Sequence, residues 1–158
     1  MRIRSLIVVS IAFVCAIAFA STASAQDPTG VWKMNPAKSK YGGTAPKSST
    51  ITTTAVAGGS FKSTTDTMPA TGAAVHSEVT YMFDGKDVPV KGNPNADTQS
   101  YTKGADAKHW TVVAKKGGKV TATTQVAIAA DGKSRTSTQA GTDAQGNKIN
   151  NVIWYDKQ

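Results

Sequence analysis

The chain has 158 residues, 18 Lys+Arg against 10 Asp+Glu, a formal net charge of +8 at pH 7, a single cysteine and a single leucine. Its length fits one domain, and no run beyond residue 25 approaches the ~20 apolar residues of a membrane-spanning helix. One cysteine cannot make a disulfide framework. A nucleic-acid surface is not expected either, because the 15 lysines are scattered and the only arginine beyond residue 25 is Arg135.

The chain opens on a pattern of export. Met1-Arg2-Ile3-Arg4 reads as a positive n-region, Leu6 to Ala20 as an apolar h-region and Ala23-Ser24-Ala25 as a small-residue cleavage site. A signal peptide over 1–25 and a mature domain over 26–158 are expected, with a periplasmic or secreted destination. Cys15 follows Val14 inside the apolar run, so a lipid anchor is not expected, and both Leu6 and Cys15 would leave with the signal. In the remaining 133 residues Leu, Ile, Val and Phe number 17, below the ~20% at which disorder becomes plausible. Low charge density and abundant β-branched Thr and Val argue instead for a folded chain with a thin core.

Short strands punctuated by turns follow in chain order. Val31 to Met34 alternates and stops at Asn35-Pro36, and Ala37 to Lys47 reads as a connection with a short helical turn. Ser48 to Val56 and Ser60 to Thr67 flank Ala57-Gly58-Gly59. Ala74 to Phe83 meets Lys86 to Val90 through Asp84-Gly85, a strong hairpin signal. Beyond the loop Lys91 to Asp97 come Thr98 to Lys103, Lys108 to Lys115, Lys119 to Ala129, Lys133 to Gln139 and Lys148 to Asp156. No window holds an apolar 3.6 period over three turns, whereas Val120, Ala122, Thr124, Val126 and Ile128 share one face at a period of two. The pattern predicts an all-β fold of about 8–10 strands, an antiparallel up-and-down meander. Closing the meander into a barrel removes its unpaired edges; a sandwich is the alternative. Rows of Ala, Thr and Val would fill a barrel of this size poorly, leaving a small, partly polar hollow.

Candidate chemistry is sparse. His76 and Glu78 share a strand face and could supply two metal ligands or an acid–base pair, but the only other histidine, His109, lies on another strand. Ordinary surface residues are expected, with no metal site, no cofactor and no catalytic set. Asn93-Pro94-Asn95-Ala96-Asp97 lacks the glycine and glutamate of a calcium loop and reads as an Asx-rich loop, a lid if it lies at an open barrel end. Asp131-Gly132-Lys133-Ser134 is a hairpin turn rather than a phosphate loop. Lys115-Lys116-Gly117-Gly118-Lys119 is a solvated tip.

Gly30-Val31-Trp32 on the first strand of such a protein resembles the lipocalins and the wider calycin group. The longer stretch Gly30 to Ser39, the central Asp84-Gly85-Lys86 with Gly92 to Asp97, and the closing Gly141-Thr142-Asp143 with Tyr155 to Gln158 look like a bacterial group of secreted lipocalin-like proteins. The resemblance implies a barrel in which Trp32 closes the floor under a basic side chain from a late strand. Lys157 is the positional candidate for that side chain and Arg135 the only arginine.

The function expected is an exported binding protein, a monomer, holding a small and at least partly apolar molecule in the barrel. Tyr81, Phe83, Trp110, Val120 and Thr124 are the candidate interior residues, Trp32 and Lys157 the floor. The alternatives are an envelope interaction protein without a ligand, and a calycin-type enzyme using His76 and Glu78.

Overall fold

Alternation of small β-branched and polar residues builds ten strands: β1 (Gly30–Met34), β2 (Ser48–Val56), β3 (Ser60–Met68), β4 (Val75–Tyr81), β5 (Val88–Lys91), β6 (Thr98–Lys103), β7 (His109–Lys116), β8 (Lys119–Ile128), β9 (Ser134–Thr142) and β10 (Lys148–Lys157). The computed structural model describes residues 27–143 and 145–158. The expected export signal, with Leu6 and Cys15, lies outside the described residues. Each strand pairs antiparallel with its neighbours in sequence, and β1 joins β10 to close an up-and-down barrel.

Closure depends on β1, five residues long. β1 pairs along one edge with β2, from Gly30↔Thr53 to Lys33↔Thr50, and along the other with β10, from Trp32↔Lys157 to Met34↔Tyr155. No strand edge is left open in the ring, so the liability of an exposed ladder is removed. The outward rows are polar: Thr50 and Thr52 on β2, Lys62, Thr64 and Asp66 on β3, His76, Glu78 and Thr80 on β4. A membrane barrel needs an apolar outer band instead. Among the described residues, no helix is long and apolar enough to cross a membrane.

Local details refine these expectations. β4 and β5 do pair across the Asp84-Gly85 connection, at Glu78↔Lys91 and Val79↔Val90, but not through a tight two-residue turn: Gly85 N donates to Tyr101 O at 2.9 Å and Asp84 bridges Thr102, so the connection is also tied to β6. Pro89, which has no N–H, then leaves β5 a short strand paired at two positions on each side. In the connection after β1, Lys38 N donates to Asn35 O and Ser39 N to Pro36 O, a single turn over 35–39 that starts ahead of the expected span, and Lys40 then pairs with Val152. On β8 the register shifts opposite Ala114/Lys115, with Ala114 facing Ala122 but Lys115 facing Val120. The extra residue, Thr121, turns inward and donates its hydroxyl to Asn95 O at 2.9 Å.

The long turns and loops at the β2 N-terminal end of the barrel form its open mouth. At the other end, β1 begins and the aromatic core collects: Trp32, Tyr81, Tyr101, Trp110 and Tyr155 are all buried. Tyr81 and Tyr101 stack at 3.6 Å between centroids, and Phe83 meets Trp110 edge-on at 5.7 Å.

Gly92, leaving β5, has φ +73°, and a Cβ there would collide with the backbone oxygen of His76 on β4. Gly58 has a similar φ, +76°, but open space around it. Gly58→Ala is expected to cost about 1–2 kcal/mol, the left-handed backbone penalty alone. Gly92→Ala must also push β4 away from β5. Urea denaturation should give a distinctly larger loss for Gly92→Ala; equal losses would refute the close approach.

Candidate functional site

The floor is built around Trp32, which is 0% exposed. Its indole N–H donates to Pro28 O at 3.0 Å, and Lys157 lays its ammonium 5.1 Å from the ring centroid. Gly30 makes this possible: at φ +121°, a Cβ there would lie 2.6 Å from Lys157 Cε. The glycine of the Gly30-Val31-Trp32 motif therefore leaves room for the cation that covers the tryptophan.

One layer above the floor, the inward side chain of β9 is Arg135. Its guanidinium carbon sits 5.5 Å from the ring centroids of both Trp110 and Tyr155. Burial pulls the Arg135 pKa down from its ordinary value, opposed by the hydroxyls of Tyr155, Tyr81 and Tyr101. An arginine nevertheless keeps its charge in a protein.

Above Arg135 the side chains become too small to fill the barrel, and a chamber of about 200 Å³ opens. Val79, Val90, Val112, Val126, Ile51 and Ile153 supply its apolar wall; Ser77, Asn93, Gln99, Thr124, Ser137 and Gln139 its polar one. Several hydroxyls inside the barrel satisfy each other across strands, as in Thr53–Ser63 at 2.7 Å and Ser49–Thr67 at 3.2 Å. Tyr101 donates to Gln99 Oε1 at 2.8 Å.

Toward the mouth from this chamber lies a vestibule of about 940 Å³. The two share Thr65, Gln139, Ile153 and Tyr155 as walls. Tyr41, Gly42, Thr44 and Pro46 rim the vestibule on one side, Asp143 and Asn147 on another. Asn95 also reaches it and Asn93 reaches the chamber, which places the Asx-rich loop at the open end. That loop is anchored by Asn95 N to Asn93 Oδ1 at 2.9 Å and by Gly117 N to Asp97 Oδ2 at 2.8 Å.

Among the residues expected in the interior, Tyr81, Trp110 and Thr124 line the chamber. Phe83 lies beside it, in the aromatic cluster against Phe61, Tyr81 and Trp110. Val120 is a correction: the bulge at Thr121 interrupts the alternation, and Val120 is 57% exposed at the strand end. Trp154 faces outward, its indole N–H donating to Asp156 at 3.0 Å beneath Lys38.

His76 and Glu78 do share a face, but it is the outer one. His76 Nδ1 lies 2.6 Å from Asp66 and Glu78 takes a 2.8 Å ion pair from Lys62, whose ammonium holds the Glu78 carboxyl below its ordinary pKa. His109 pairs with Asp106 across the turn before β7. Among the described residues no three His, Cys, Asp or Glu side chains converge as a metal site would require.

Most of the chamber wall lies outside the expected interior set, including Arg135, Ser137 and Gln139 of β9. Their spacing of two on one strand, following the Asp131-Gly132 turn, was the available signal. Neither protein-family profiles nor curated protein sequences yield a match to this chain.

Burial raises the pKa of all four tyrosines, Tyr41 to about 12. In the unfolded chain they ionise near pH 10. Between those values the folded state binds more protons than the unfolded one, so the stability they contribute is full below about pH 10 and is lost as pH rises through the folded pKa values. The urea midpoint should therefore fall above pH 10, with tyrosinate absorbance appearing together with unfolding. Full tyrosinate absorbance near pH 10 in a folded barrel would contradict it.

Proposed function

We propose that the protein is an exported, lipocalin-like binding protein that holds a small amphipathic molecule inside the barrel. One observation carries this reading: the interior is hollow where the side chains are mostly Val, Ile, Ser and Thr, and the hollow shares four wall residues with a vestibule at the mouth. A preformed concave site with an apolar wall and a few placed polar groups is the usual form of a small-molecule site. Binding needs no catalytic group, and the His76 and Glu78 side chains face away from the chamber.

The lipocalin likeness is supported by the meander topology and by the first-strand glycine and tryptophan under a late-strand cation. It does not rest on strand number, since lipocalin barrels have eight strands. The chamber alone, about 200 Å³, falls below the roughly 300–1,000 Å³ of sites for drug-sized ligands. A small molecule, or one end of a longer one with the rest in the vestibule, fits it.

Gln139 lines both spaces, so Gln139→Trp should obstruct both. Wild-type protein is expected to bind N-phenyl-1-naphthylamine, read by its fluorescence, and to give it up to small amphiphiles in competition. The variant should bind at least about tenfold more weakly at an unchanged thermal midpoint. No binding of the dye or of any amphiphile by the folded wild type would overturn the reading.

A further inference from the structure

Two buried polar atoms lack a hydrogen-bond partner among the described residues: Arg135 Nε and Ser137 Oγ. They stand two positions apart on β9, so their side chains share the inward face, and both line the same chamber. A buried donor left unpaired is costly, and a buried charge without a counterion more so. Among the described residues, Arg135 is the only charged side chain in the chamber wall. Its contacts with Trp110 and Tyr155 engage the π faces of those rings and leave the Nε–H without an acceptor.

A group able to pair with both would present acceptor oxygens and, beside a guanidinium, negative charge. We infer that the chamber binds a monocarboxylate whose carboxylate accepts hydrogen bonds from Arg135 and Ser137 while its hydrocarbon part runs past Val112, Val126 and Ile153 toward the vestibule. Guanidinium presents a planar fork of donors that matches a carboxylate. One cation balances one negative charge. A phosphate monoester, at about −1.5 to −2 near neutral pH, would leave unbalanced negative charge in a wall that has no second cation.

This inference rests on the barrel being a binding protein, and the test separates the two. Octanoate, octanol, octylamine and octyl phosphate are titrated calorimetrically into the folded full-length mature chain, into Arg135→Gln and into Ser137→Ala. Circular dichroism and thermal melting check the fold of each variant. Wild type should bind octanoate at least about tenfold more tightly than octanol, as charge-assisted hydrogen bonds imply, and should reject octylamine. Arg135→Gln should lose the preference for the acid while still binding octanol, and Ser137→Ala should weaken octanoate alone.

Equal affinity for octanoate and octanol, a preference that survives Arg135→Gln, or tighter binding of octyl phosphate would each overturn the carboxylate site and leave the binding function standing. Failure to bind any of the four, and the neutral naphthylamine as well, would remove both. Should Arg135→Gln not fold, the acid-to-alcohol ratio of the wild type and its change in Ser137→Ala decide the matter.

Discussion

Everything inside this barrel depends on a five-residue strand. β1 is hydrogen-bonded to β2 on one side and β10 on the other, and without it the other nine strands would be an open sheet with two bare edges. What holds β1 in place is Trp32, fully buried, its N–H spent on Pro28 O and its ring covered by Lys157. A tryptophan removes a large apolar area from water at one position, which is what a strand too short to carry a row of aliphatic residues needs. Gly30 belongs to the same device, since a side chain there would displace the lysine.

From that floor upward the barrel divides by side-chain size. The lower layer is aromatic and filled, with Tyr81, Tyr101, Phe83 and Trp110 in mutual ring contact. The upper layer is made mostly of Val, Ile, Ser and Thr and remains hollow. A chain whose only leucine is Leu6 has few side chains able to fill the upper half. Its inward hydroxyls are tolerated where cross-strand pairs satisfy them, as between Thr53 and Ser63. The hollow is therefore a consequence of composition as much as of strand number.

A meander of about 8–10 strands and its closure into a barrel were legible in the sequence, because a period of two survives in nearly every strand and glycine-bearing turns separate them. What period alone could not show is where alternation breaks. Val120 and Ala122 look like members of one inward row, yet the bulge puts Thr121 between them on the inside and sends Val120 to solvent. Asp84-Gly85 carries the signature of a tight hairpin, but the pairing of Gly85 with Tyr101 is a long-range contact that no local motif encodes. The interior position of Arg135 was equally hidden. As the first inward residue of β9, next to a turn, it looks like a surface cation until the barrel's closure brings Trp110 and Tyr155 around it.

Arg135 sits at the boundary between the two layers, and that position gives it meaning. A cation among packed rings would be ordinary if its donors were satisfied, since the rings stabilise charge through their faces. A cation in the hollow would be ordinary if water or a carboxylate reached it. Arg135 has its carbon against the rings and an unpaired donor where the filled layer ends. Ser77, Asn93, Gln99 and Gln139 line the chamber around it, so a polar group moving inward from the mouth has hydrogen-bonding side chains available along the wall. The division into a filled and a hollow layer thus places the one arginine of the wall where hydrogen-bonding side chains, not rings, are its neighbours on the upper side.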